Sequence, residues 1–152
     1  MIEHKDLGTV SAPVTLTALY AGNTLTVLSR LYCDLHLDIT YTPKTGETDR
    51  IAYILIEYSN DNGETYYPKT VALSLPDSVE LNNLSVDTAV TGIPLVMPNA
   101  GSSTGGVAYK MTYDMENIKA DFIKISAKES GSADFGTLYI NTTLTQNQKW
   151  KK

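Results

Sequence analysis

Cysteine is almost missing from this chain: Cys33 is the single thiol among 152 residues. No intramolecular disulfide can form, so the fold must rest on its core. Histidine occurs twice and tryptophan once, a thin supply for metal ligation or for a catalytic base. Charged residues make up only 19%, and they sum to −5. That balance excludes a broad basic face for nucleic acid. No apolar run approaches the ~20 residues that a membrane helix needs. The opening Met1-Ile2-Glu3-His4-Lys5-Asp6 lacks the apolar stretch of a signal peptide, so none is expected. The triplets Asn83-Leu84-Ser85 and Asn141-Thr142-Thr143 are therefore not read as glycosylation sites. The expected compartment of synthesis is a reducing cytoplasm.

What the chain does contain is tyrosine, 10 residues against 2 phenylalanines, together with abundant threonine. Both types suit pleated, half-buried surfaces. Hydrophobic residues reach 42%, too many for a disordered chain of this low charge. The length fits one domain able to bury roughly 68–70% of its unfolded surface.

Period-two alternation recurs along the sequence. Val14, Leu16, Ala18 and Tyr20 share one face of a first strand, and Ala21-Gly22-Asn23-Thr24 reads as a turn before Leu25 to Leu28. From Cys33 to Thr42, the odd positions Cys33, Leu35, Leu37, Ile39 and Tyr41 oppose polar even positions. Arg50 to Tyr58 is apolar on both faces, which predicts an internal strand covered twice. A polar connection, 43–49, joins these two. Val71, Leu73 and Leu75 alternate inward after Pro68, a residue that marks a sheet edge or bulge. Residues 79–90 fit a strand or an extended connection, and 94–106 a long loop. Tyr109, Met111, Tyr113 and Met115 share a face, followed by one helical turn near Met115 to Ala120. Ile123, Ile125 and Ala127, a turn at 130–134, and Leu138, Ile140, Thr142 and Leu144 complete the pattern, the last two strands reading as a hairpin closing one sheet. The fold class predicted is all-β: a single antiparallel sandwich, jelly-roll-like, of about eight or nine strands. An N-terminal arm is expected at 1–13, the sandwich at 14–145 and a C-terminal tail at 146–152.

Three constellations invite a chemical reading. Asp34, His36 and Asp38 project from one strand face and could begin a metal site. The same spacing is what a solvated strand face gives, and no second ligand cluster accompanies it, so no metal and no cofactor are assigned. Gly101-Ser102-Ser103-Thr104-Gly105 matches the nucleophile pattern G-x-S-x-G literally. That motif needs a strand-to-helix turn over a parallel sheet, and this context is missing, so no catalytic residue is assigned and the chain is expected not to be an enzyme. Tyr53, Tyr58, Tyr66, Tyr67, Tyr109 and Tyr113 could form sugar platforms, although Tyr also fills sandwich cores with its hydroxyl at the rim.

The segment Ser59-Asn60-Asp61-Asn62-Gly63-Glu64-Thr65-Tyr66 reads as a hairpin tip, since Asn, Asp and Gly tolerate positive φ. It resembles the Asp-box of sialidases and related propellers through Ser59, Asp61, Gly63 and Thr65, with Tyr66 in the aromatic position. The resemblance implies a structural turn and transfers no activity. Tyr66, Tyr67 and Trp150 are candidate interface residues, Trp because it is enriched at hot spots.

The strand–Ser59-to-Pro68–strand pattern is also similar to small β-sandwich proteins of tailed-bacteriophage particles. So is Asp121-Phe122-Ile123-Lys124-Ile125-Ser126-Ala127-Lys128 followed by a Gly/Ser turn and Gly136-Thr137-Leu138-Tyr139-Ile140. This resemblance implies a virion structural protein: a capsid decoration or auxiliary subunit, or a head-fibre, neck or tail component. Its partners would be other virion proteins and copies of itself, with no nucleic acid and no membrane. Loops 43–49, 98–106 and 129–135 and the two termini are the expected contact segments. The alternative is a carbohydrate-binding sandwich or receptor-binding domain.

Overall fold

A computed structural model describes residues 2–4, 6–9, 11–27, 31–68, 95–98 and 102–150. Among these residues ten strands run in chain order: β1 (Ile2–His4), β2 (Val14–Thr15), β3 (Ala21–Thr26), β4 (Leu31–Thr42), β5 (Ala52–Ser59), β6 (Tyr67–Pro68), β7 (Leu95–Met97), β8 (Tyr109–Ile118), β9 (Phe122–Glu129) and β10 (Thr137–Trp150). One sheet has the order β1-β10-β4-β8 with β2 also on β10, the other β3-β9-β5-β6 with β7 also on β5. Every strand pairing is antiparallel.

Two of the strands are halves of an interrupted edge. β1 pairs with Thr143–Thr145 and β2 with Thr137 and Leu138, and a bridge from Leu7 to Ile140 lies between them. Likewise β6 lies against Glu57 and Tyr58, and β7 against Ala52 to Ile54. Merging each pair turns ten strands into the eight of a jelly roll. The first strand then lies beside the last, and all but one connection crosses between sheets. The predicted all-β sandwich is what the chain forms.

Burial follows the alternation. Cys33, Leu35, Leu37, Ile39 and Tyr41 are at most 1% exposed, and they meet Ala52, Ile54, Ile56, Ile123, Ile125 and Ala127 from the other sheet in one core. β5 is an internal strand, flanked by β9 on one side and by β6 and β7 on the other. Its second face is covered too: Ile51, Tyr53 and Val96 form a smaller cluster with Tyr20. At roughly 1.5–3 kcal/mol for each large aliphatic side chain buried, the shared core is the main source of stability.

Four local expectations need correction. Ala21 to Thr24 is strand, not turn. A Cβ on Gly22 would stand 1.9 Å from the carbonyl oxygen of Ile125, so this glycine permits close backbone approach to β9. The chain turns earlier, at 16–20, where Leu19 is exposed. The helical turn expected near Met115 is also strand. There β8 carries one extra residue between the pairs Cys33↔Ile118 and Leu35↔Met115, with Asn117 at φ 55° and its N–H donating to Asp34 Oδ1 at 2.9 Å. A bulge, with Asn in the left-handed region, therefore broke the alternation that had resembled a helix. Thirdly, β9 and β10 are no hairpin: they lie in different sheets, and 130–136 carries the chain from one layer to the other. Finally, the loop expected at 94–106 opens as strand: Leu95–Met97 is β7, buried and paired with Ala52 to Ile54. The run Val71, Leu73 and Leu75 and residues 79–90 lie outside the described residues.

Ile2 to His4 pairs within its own sheet, and β10 continues past residue 145 to Trp150, which stands opposite Leu31 after a register irregularity beyond Gln146. Both terminal segments thus carry sheet pairings of their own chain.

Candidate functional site

Alternate connections of a jelly roll gather at one end of the sandwich, and hydrogen bonds here tie four of them together. Leu16 N donates to Gly136 O, and Glu129 N to Thr17 O, each at 2.9 Å. Asp49 N donates to Ser103 O, Gly105 N to Glu47 O and Ser130 N to Ile51 O, each at 2.8 Å. The loops around 43–49, 102–106 and 130–135, separated by dozens of residues in sequence, form one continuous surface.

Arg50 and Glu129 hold this end from within. Glu129 continues the inward parity of Ile123, Ile125 and Ala127, so β9 delivers a carboxylate to the core face with a fully buried side chain. Tyr41 Oη donates to its Oε2 at 2.6 Å, and Gly136 N lies 3.1 Å from both oxygens. Arg50 Nη1 stands 3.6 Å from Oε1. The guanidinium also donates to Ser130 O, Ala133 O and Glu47 Oε2, each at 2.9 Å. Burial, then the neighbouring carboxylate, pushes the Tyr41 hydroxyl well above its ordinary pKa. Gly131 is required beside this cluster: its φ is +101°, and a Cβ would fall 1.9 Å from Arg50 Nη1. A salt link at 2.9 Å between Lys44 and Asp134 closes the exposed rim, lowering the Asp134 pKa and raising that of Lys44.

Ser103, the serine of the G-x-S-x-G match, belongs to the same end. Its Oγ is buried and donates to Arg50 O at 2.6 Å. Ser102 Oγ donates to Asp49 Oδ1 at 2.9 Å, and Thr104 N donates to Tyr109 Oη at 2.8 Å. Gly101 lies outside the described residues. A hydroxyl committed to a main-chain carbonyl serves to pin the loop.

His36 sits apart, on the outer face of the β4–β8 pair. Its Nδ1 contacts Asp114 Oδ1 across the strands, and its Nε2 lies 2.9 Å from Asp38 Oδ1. The Asp114 contact, then the Asp38 contact, raises the His36 pKa. The two carboxylates hold opposite edges of the ring, so they do not converge on one ion with it. Among the described residues no group of three or more His, Cys, Asp or Glu could hold a metal ion. Asp34, the third member of the sequence cluster, accepts from Asn117 N in the bulge. Beside this face a groove of about 460 Å³ is lined by Asp38, Ile39, Thr40, Lys110, Met111 and Thr112.

The hairpin tip lies between β5 and β6. Ser59 Oγ donates to Asp61 Oδ1 at 2.7 Å and accepts from Gly63 N at 3.0 Å, while Thr65 N donates to Asp61 Oδ1 at 2.8 Å. Asn62 and Gly63 take φ of 63° and 83°. These bonds, the one from Thr65 N foremost, hold the Asp61 pKa down at about 2. Tyr66 lies under Lys124 Nζ at 5.3 Å, and Tyr67 is 69% exposed. Tyr53, Tyr58, Tyr109 and Tyr113 are packed against core residues, which removes them from any shared platform. The Trp150 side chain lies outside the described residues.

Sequence reasoning missed Arg50, Glu129 and Glu47. The available signal was a charged residue at the inward parity of β9. Asp114 was missed as well, because its contact with His36 depends on the β4–β8 register.

No protein-family model matches this sequence, and no curated protein matches it. Among solved structures, a chain in the structure of the infectious bursal disease virus Gx strain aligns with all of this chain at 14% identity and a TM-score of 0.37. This chain spans 37% of the length of that one. At this score the likeness assigns no function.

Proposed function

We propose that this protein is a non-enzymatic structural component of a virus particle, of the tailed-bacteriophage kind its sequence resembles, and that it assembles with other particle subunits and with copies of itself. The observation that carries the reading is the strand order, a complete jelly roll. That architecture is shared by viral capsid subunits and lectins, and the step from fold to role is an analogy. A second support is what the polar clusters do. Glu129, Arg50, Ser103 and His36 are each engaged by their own chain, which is the chemistry of a scaffold. The stitched loop end offers a preformed contact surface, with little ordering left to do on binding.

The test is to purify particles from the virus that encodes the chain on a density gradient, and to look for it by mass spectrometry and by antibody labelling in electron micrographs. Co-migration that survives high salt, at a fixed ratio to the major capsid protein, is the expected result. Free protein at the top of the gradient and unlabelled particles would overturn the reading. The carbohydrate-binding alternative draws on Tyr67, exposed beside the Lys124–Tyr66 stack. Saturable binding on a glycan array, abolished by Tyr67→Ala, is the result that would favour it.

A further inference from the structure

Among the described residues β8 is the outermost strand of its sheet, and its only ladder partner there is β4. Its pairing with β4 is regular from Tyr109↔Tyr41 to Met115↔Leu35 and is broken by the bulge beyond Met115. Along this stretch the inward side chains Tyr109, Met111 and Tyr113 are only partly buried, whereas their neighbours on β4 are buried completely. Every second residue of β8 also directs its N–H and C=O away from β4. Among the described residues the strand is therefore a long open edge whose apolar side chains are only partly covered, and natural sheets usually block or cover such an edge.

The sequence of this edge says what covers it. Tyr109-Lys110-Met111-Thr112-Tyr113-Asp114-Met115 complements its own reverse about Thr112. In an antiparallel pair of two copies related by a two-fold axis through Thr112, Lys110 stands opposite the partner's Asp114, and Asp114 opposite the partner's Lys110. Thr112 meets the partner's Thr112. On the core side, Met111 meets the partner's Tyr113 and Tyr109 the partner's Met115. Lys110 is exposed and has no ion-pair partner among the described residues. Shifting the centre to Met111 pairs Lys110 with a threonine, and shifting it to Tyr113 runs into the bulge. A centre between two residues would pair inward side chains with outward ones, which one continuous sheet does not allow. The Thr112 register alone uses the whole regular segment and matches its charges.

We propose that this chain forms a two-fold dimer by joining β8 edge to edge, fusing two sheets into one and adding about six to eight main-chain hydrogen bonds. The dimer does not depend on the particle reading, since it is a property of the isolated chain.

The test is sedimentation velocity and equilibrium on the full chain, wild type and three variants, after circular dichroism has shown each to be folded. The wild type is expected at twice the 16.6 kDa chain mass. Lys110→Asp and Asp114→Lys each place like charges opposite one another at both symmetric positions. Each is expected to raise the dimer dissociation constant about tenfold or more, because cross-strand charge pairs reverse sign. The double variant Lys110→Asp/Asp114→Lys re-forms the pairs with reversed polarity and is expected to recover dimerisation. A wild type that stays monomeric at every accessible concentration overturns the proposal. So does a dimer indifferent to both single changes, or a double variant no better than the singles. Detection of the chain in purified particles is a separate result, and it can succeed or fail without moving this one.

Discussion

Arg50→Met leaves the Glu129 carboxylate buried with no cation among the described residues beside it, while the Tyr41 hydroxyl and Gly136 N–H still donate. Removing one member of a buried pair typically costs about 3–5 kcal/mol. Here the charges are 3.6 Å apart and two other donors remain, which places the electrostatic loss near the lower bound. The three bonds from Arg50 to Ser130 O, Ala133 O and Glu47 vanish as well, but their acceptors lie in loops that water reaches. We therefore expect a total of about 3 kcal/mol. For a domain of this size that is a fall in melting temperature of about 6–12 °C. Urea denaturation at neutral pH, followed by circular dichroism, measures the free energy, and calorimetry measures the temperature. The double change Arg50→Met/Glu129→Gln removes both charges, and its cost should be clearly smaller than the sum of the two single costs. An Arg50→Met variant within about 0.5 kcal/mol of wild type, or a strictly additive cycle, would falsify the claim that these two side chains hold the loop end as one unit.

Three further outcomes follow from particular contacts. The His36 imidazole should titrate above its ordinary 6.5 by NMR, and Asp114→Asn should lower that value more than Asp38→Asn. Since the folded pKa is raised, the stabilisation is complete below pH 6.5 and fades as pH rises through the folded value; His36→Gln should flatten that part of the stability profile. Asp61 has the opposite sign. Its folded pKa is held at about 2 against an ordinary 3.8, so its contribution is present above pH 3.8 and disappears as pH falls to about 2. Asp61→Asn should remove that slope in acid melts, and an unchanged slope would refute the turn's role. Gly22→Ala should cost at least the ~3 kcal/mol upper range of overpacking, because the obstacle is the Ile125 backbone; an alanine variant as stable as wild type in urea would show that β3 and β9 lie farther apart.

Much of this molecule was legible before folding was considered. Strict alternation at Cys33 to Tyr41 named the inward face of β4, and two-sided apolarity at Ile51 to Ile56 marked an internal strand. Both follow from the two-residue period of a pleated chain, which is a local property. Other local signals were ambiguous because one residue type serves several geometries. Gly22 reads locally as a turn residue, although the proximity that requires it comes from β9. Asn117 disturbed a strand and resembled a helical turn.

The class, two layers of antiparallel strands around an alternating core, thus follows from the order of residues, because side-chain parity is written residue by residue. Which strands are neighbours is settled by the packed fold. It placed β9 and β10 in opposite sheets, brought Arg50 to Glu129 and Asp114 to His36, and left the edge of β8 without a partner among the described residues. Pairing order and register join residues dozens of positions apart, and no local pattern carries that information. The loop end and the open edge, where contact with other molecules is proposed, exist only once both sheets have formed.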